Sequence, residues 1–249
     1  MSVLAFDTAT RATSVALVNA AGEALVARDD PDPGQRPAHT TRLMALIAEL
    51  LAAGGGWGTV ETIAVGTGPG TFTGLRIGIA TALALGRARD LPLVGVSTRA
   101  SLALAADPAA GADGFDVGLA VLDARRREVF VAGWETGSLT AAAPRRGAGN
   151  PAAAVARLPA AAMAPAALAE ASASLGRCLA VGDGAQEYRA VLEAGAITVA
   201  GASSVHHRVD AVMHARLARA GLAVQGVPIR PEYLRAPDAE LARRAVPVP

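Results

Sequence analysis

The sequence predicts a duplicated α/β protein: two subdomains, each a mixed β-sheet flanked by helices. Two observations predict it. Short apolar, β-branched runs and longer helical stretches follow one another as β-β-β-α-β-α-β up to Val96, an antiparallel meander running into parallel crossovers. The opening design then recurs at Val117 to Asp123, with an apolar run ending in aspartate, a polar turn over Ala124 to Arg127 and a second apolar run from Glu128 to Ala132. Asp7 and Asp123 therefore stand at equivalent positions in two copies.

Each element has its own local signal. Val3 to Asp7, Ser14 to Val18 and Ala24 to Ala27 read as three strands joined by turns. The polar, proline-broken stretch from Asp29 to Pro37 leads into a helix from Ala38 to Ala53, stopped by Gly54-Gly55-Gly56. Thr62 to Val65 is a strand entering Gly66, a glycine-led helix reaches Asp90, and Leu93 to Val96 follows Pro92 as a strand. After the second copy's opening, Gly137 to Gly176 is rich in Ala, Pro and small polar residues, with helical stretches expected at Ala152 to Leu158 and Ala166 to Leu175. Cys178 enters an apolar run and reads as a buried strand residue. Val205 to Ala223 reads as a charged helix with Val209, Val212, Met213 and Leu217 on one side, and His207 and His214 on a solvated face. Prolines extend the tail past Gly226, and residues beyond Pro237 are expected to be loosely held. The expected division is 1–103 plus about 205–225, then 104–204, then a tail at 226–249.

Composition narrows the function classes. The net charge is +1 and the charged fraction 18%, which gives no general drive toward nucleic acid. One cysteine among 249 residues excludes an intramolecular disulfide and suits a reducing compartment. Asp7 interrupts the first apolar run too early for a signal peptide, and charge or glycine breaks every run of membrane-spanning length, so a cytoplasmic protein is expected. The chain has no lysine, which removes P-loop phosphate chemistry, Schiff-base chemistry and a lysine base together.

The densest motif is Gly66-Thr67-Gly68-Pro69-Gly70-Thr71-Phe72-Thr73-Gly74-Leu75-Arg76-Ile77-Gly78. Its glycines permit positive φ or close approach, Pro69 stiffens the turn and Thr71 is placed to cap the helix. Backbone N–H groups at such a helix start can hold an anion, and a tight corner that binds nothing is the alternative. The third glycine falls one residue too late for a dinucleotide fingerprint.

Two copies of an apolar strand ending in aspartate resemble the plan of actin-like and sugar-kinase-like ATPases. There Asp7, Thr8, Thr10, Gly68, Gly70, Thr71 and Asp123 would form weak or vestigial phosphate-type loops, unless the aspartates merely cap their own turns. AFDTAT, AHTTRL, GTGPGTFTGLRIG, VGVST, LDARRREVF and PEYLR, in that order between Met1 and Arg235, closely resemble the TsaB (YeaZ) family. Those proteins are the non-catalytic paralogues of TsaD, which acts in threonylcarbamoylation of a tRNA adenosine.

The resemblance implies the actin-like fold, the return of the late helix to the first half, and a scaffold or activating role with no catalytic residue and no metal. TsaD carries a metal-holding His-x-x-x-His pair on the helix after the last strand of its first half; Thr98 and Leu102 stand at those positions here, and neither ligates a transition metal well. No cofactor is expected beyond weak ATP or ADP binding, mainly in a complex. The implied partners are TsaD, the TsaE ATPase in a larger assembly and a second copy of the chain, with no independent tRNA binding and no membrane.

Both long helices carry more apolar residues than one core face requires. Leu43, Leu46, Ile47 and Leu50 make one stripe and Leu75, Ile79, Ala82, Leu83 and Gly86 another. The interface is expected at His39, Met44, Ile47, Ala48, Leu51, Ile77, Thr81, Ala84 and Leu85. A stand-alone ATPase or small-molecule kinase is the alternative, and a peptidase a further one. The peptidase lacks a Gly-x-Ser-x-Gly elbow and any evident Ser-His-Asp grouping.

Overall fold

The computed structural model describes residues 1–32, 34–144, 150, 154–222, 224–225 and 228–234. The first sheet runs β11-β5-β4-β1-β2-β3, built from β1 (Val3–Asp7), β2 (Thr13–Val18), β3 (Ala24–Asp29), β4 (Thr62–Gly68), β5 (Leu93–Ser97) and β11 (Val224–Gln225). β1 pairs antiparallel with β2 and parallel with β4, so the meander passes into crossovers as expected. The second sheet runs β10-β9-β6-β7-β8, from β6 (Val117–Arg125), β7 (Glu128–Glu135), β8 (Ala156–Met163), β9 (Cys178–Val181) and β10 (Thr198–Val199).

Period-two alternation sorts the strand residues into layers. On β1, Leu4 and Phe6 pack with α1 (His39–Ala53) and α2 (Phe72–Arg89), whereas Val3 and Ala5 face a central layer of α3 (Thr98–Ala112) and α8 (Ala211–Ala220). On β6, Ala120 and Leu122 meet that same layer, while Val117, Leu119 and Val121 turn outward to α5 (Pro165–Ser172) and α7 (Arg189–Ala194). α3 and α8 thus lie between two sheets, each covered on its outer face by other helices. This is the duplicated actin-like arrangement. α3 crosses residue 103 and packs on both halves.

Two expected helices differ. The stretch expected as helix at 152–158 yields instead the strand β8 from Ala156, with residues 152 and 153 outside the described part. Pro159 would remove a helical hydrogen bond, and in β8 it falls where the pairing with β7 shifts register, at the sheet edge. The late helix is shorter than 205–223. Val205–His207 forms a 3-10 turn, Asp210 caps α8 by accepting from Val212 N at 2.8 Å, and Gly221 ends it at φ 66°. Ala223 and the tail beyond Leu234 lie outside the described residues. Among those described, no helix is long and apolar enough to cross a membrane.

Candidate functional site

Asp7 ends β1 in full burial, and its acceptor sites face this chain's own donors. Ala9 N donates to Oδ1 at 2.7 Å, Thr98 Oγ1 donates to Oδ2 at 2.7 Å, and His214 Nε2 lies 3.0 Å from Oδ2. Burial alone would raise this carboxyl; the hydrogen bond and charge of His214, then Thr98 and Ala9, outweigh it and hold the group below its usual value. A Cβ on Gly66 would fall on the carboxylate, so glycine there is a requirement of close packing. Thr98 also accepts from Gly68 N at 3.2 Å.

The glycine turn is a strand-to-helix corner pressed on the Asp7 turn. Gly68 has φ 101° and precedes a cis Pro69. A Cβ at Gly70 or Gly74 would strike the carbonyl of Ala9 or Thr8, and one at Gly78 would crowd the Thr8 hydroxyl. Thr71 caps α2 by accepting from Gly74 N at 3.3 Å, as the sequence suggests. Three donors that an anion would need are already committed: Gly68 N to Thr98, Thr71 N to the Ala9 carbonyl at 2.7 Å, and Gly74 N to Thr71. Thr8 Oγ1 donates to the Gly74 carbonyl at 2.7 Å rather than facing a ligand.

Asp123 repeats the Asp7 turn, its Oδ1 accepting from Arg125 N at 2.8 Å. Sequence reasoning missed its neighbour Asp183. That residue starts α6 (Asp183–Glu187), and its Oδ1 accepts from Asp123 N at 3.0 Å and Gly184 N at 2.9 Å. Burial, reinforced by the Asp123 charge, pushes the Asp183 carboxyl up against the effect of those two N–H groups. Gly182-Asp183-Gly184 after an apolar strand was the available signal. Thr10, Arg11, Asp183, Gln186 and His207 meet in a cleft of about 160 Å³ between the halves. Among the described residues no three His, Cys, Asp or Glu side chains group as metal ligands. Leu102 is fully buried in the central core.

Ser101, His214 and Asp7 form the Ser-His-Asp series that the sequence did not reveal. Ser101 Oγ lies 2.8 Å from His214 Nδ1. All three side chains are at most 1% exposed, so no peptide bond can reach the hydroxyl, which also donates to the Asp210 carbonyl at 3.0 Å. His207 is likewise buried, bridging Gly182 and Ala200, which corrects the solvated face expected for it and His214.

The helical face differs in part from expectation. His39 is buried at the start of α1 with Nδ1 2.8 Å from Thr13 Oγ1, and Ile47 and Leu51 belong to the core against Leu4, Phe6 and Leu17. The cause is that α1 is covered by the sheet and α2 together, a wider wall than one stripe. Leu83, assigned to the core stripe, is instead 42% exposed, as Met44 is at 46%. Ala48 and Ala84 are exposed, and Ile77, Thr81 and Leu85 half-buried.

The family model for TsaD, tRNA N6-adenosine threonylcarbamoyltransferase, matches residues 35–242. The tRNA threonylcarbamoyladenosine biosynthesis protein TsaB of Escherichia coli is 39% identical over 136 residues, 54% of this chain and 55% of that protein. Its namesake from Haemophilus influenzae is 37% identical over 131 residues, 52% of each. The chain spans about half the length of these curated relatives. The solved structure of YeaZ from Pseudomonas aeruginosa superposes with TM-score 0.65 at 26% identity, covering 88% of this chain and 91% of that one. A second, described as an uncharacterized protein similar to the peptidase YeaZ from the same organism, gives 0.69 at 27%, covering 94% and 99%. By this match over most of its length, the chain belongs to the TsaD tRNA N6-adenosine threonylcarbamoyltransferase family, on the side of its TsaB (YeaZ) members.

Proposed function

We propose that this chain is a non-catalytic scaffold of tRNA threonylcarbamoyladenosine formation, binding a TsaD paralogue that performs the transfer. One observation carries the reading: Asp7, Thr98 and Leu102, the positions at which ATPase or metal chemistry would reside, are occupied by interactions internal to the chain. A carboxylate facing a histidine, a threonine and a backbone N–H has little left to offer magnesium, which demands several oxygens. Nucleotide therefore binds the free chain weakly, with any tighter site needing the partner. The fold remains, and with it the exposed face of α1 and α2 at Met44, Ala48, Leu83 and Ala84, which pairs with TsaD or with a second copy. TsaE joins the larger assembly, and tRNA is held by the partners.

Size-exclusion chromatography of the chain with its TsaD paralogue tests the pairing. Ala84→Arg places a long cation on an exposed helix position and leaves the core untouched. The variant is expected to fold normally and to lose the complex; normal complex formation by Ala48→Arg and Ala84→Arg alike would refute this face as the interface. Metal analysis of protein purified without chelator addresses chemistry separately. One zinc or iron per chain would overturn the non-catalytic assignment.

A further inference from the structure

The chain has four Phe, two Trp and two Tyr, all of them among the described residues, and all but two are buried or half-buried. The two exceptions meet. Phe72, at the start of α2, is 40% exposed and Tyr233, in the tail, 43%; their rings stack with centroids 5.6 Å apart at 28°. The Arg76 guanidinium lies 3.8 Å from the centre of the Phe72 ring. Aromatic side chains and arginine are the types that most often anchor protein–protein contacts, because they offer large, stiff surface at small entropic cost.

The tail is tied to this spot from within. Pro228 and Pro231 stiffen it, and Ile229, 6% exposed, belongs to the core cluster of Leu4 and Phe6. Glu232 N donates to the Thr67 carbonyl of β4 at 2.7 Å. The Glu232 carboxylate pairs with Arg99 of α3, a buried residue whose guanidinium also donates to the Val131 carbonyl of β7 at 3.1 Å. A buried cation needs its acid, so Glu232 cannot leave without stranding the Arg99 charge. Tyr233 directly follows this anchor. An exposed ring is thus held in place before any partner arrives, which lowers the ordering cost of a contact made there.

The position of the rings says which surface they serve. Phe72, Arg76, Ala80 and Leu83 recur at helical spacing and all are exposed, so they line one side of α2. Leu83 belongs to the exposed face that includes Met44, Ala48 and Ala84. The stacked rings continue that face toward the N-terminal end of α2.

We propose that segment 228–234 completes the surface that binds the TsaD paralogue, with Tyr233 as a contact residue and Arg99 and Glu232 as positioning residues that act through it. The role rests on α1 and α2 being that surface. It adds to the two helices a segment from the far end of the chain, held on β4 and α3.

Calorimetric titration of the full chain with its TsaD paralogue tests this. Tyr233→Ala is expected to weaken binding about tenfold or more while thermal unfolding stays unchanged, and Tyr233→Phe, which keeps the ring, to bind as the unaltered chain does. Phe72→Ala removes the other ring and is expected to weaken binding similarly. Glu232→Gln is expected to weaken binding and to speed hydrogen exchange of the residue 232 amide, whereas Tyr233→Ala leaves that exchange unchanged. Undiminished binding by Tyr233→Ala would overturn the proposal. Ala84→Arg, titrated alongside, then tells the two failures apart: loss of its complex means that the helical face stands without the tail, and a normal complex means that the face has failed as well. Undiminished binding by Glu232→Gln would overturn the positioning role of the ion pair.

Discussion

Replacing His214 with alanine tests whether the Asp7 network holds the central layer. His214 comes from α8 and Asp7 from β1, 207 positions apart in the chain, and their contact at 3.0 Å is closed from solvent at both ends. Breaking a buried pair by removing one member costs about 3–5 kcal/mol, because the survivor keeps its desolvation penalty without its partner. Ala9 N and Thr98 Oγ1 remain to support the carboxylate, so the lower end, about 3 kcal/mol, is expected. Domains commonly have about 5–15 kcal/mol in total, so the variant should fold but unfold early. Urea denaturation followed by circular dichroism, in a double-mutant cycle with Asp7→Ala, measures the effect. A coupling of on the order of 2 kcal/mol is expected. Loss below about 0.5 kcal/mol in His214→Ala, or a cycle that closes without coupling, would refute the pairing.

Further outcomes follow from the same geometry. Asp7 has its folded-state pKa lowered from the ordinary 3.8, so the stability it contributes is present above that value and lost as pH falls through the folded-state one; Asp7→Asn should flatten the acid limb of a stability–pH curve. Burial lowers the pKa of His39 from 6.5, so the folded state resists its protonation and stability should fall as pH drops below about 6.5; a His39→Gln chain with the same slope would show that another group is responsible. Gly74→Ala forces a Cβ onto the Thr8 carbonyl and should cost about 1–3 kcal/mol in urea denaturation, whereas an unchanged midpoint would contradict the close approach of α2. Leu51→Glu, at a core position, should abolish cooperative unfolding; a folded variant that merely loses partner binding would place Leu51 on the surface instead.

The layers were legible in sequence because strand alternation and turn glycines are local signals. β1, β2, β4 and β6 lie where their apolar runs place them, and Thr71 caps α2 as its position before the helix suggests. Contacts between residues distant in the chain were not legible. Nothing local in Val212-Met213-His214 says that the imidazole will meet Asp7 from the far end of the chain, so a histidine that looks solvated lies fully buried. α1 shows the same limit: periodicity distinguishes an inner from an outer stripe, but α2 covers part of what a helix on a sheet alone would expose, and Leu51 moves inside. Leu83 is the opposite case. Its spacing fits the core stripe, yet it lies at the outer boundary of the wall and faces solvent. β8 was hidden by alanine, which favours helix locally, while pairing with β7 decides the outcome.

The most direct test of the scaffold assignment is reconstitution of tRNA threonylcarbamoylation from purified components, with this chain and its TsaD paralogue added singly and together. This chain alone is expected to give no transfer, the two proteins to form a complex, and full modification to appear only when both are present, with Ala84→Arg losing complex and modification together. Transfer by this chain without TsaD, or TsaD activity indifferent to its presence, would contradict the scaffold assignment.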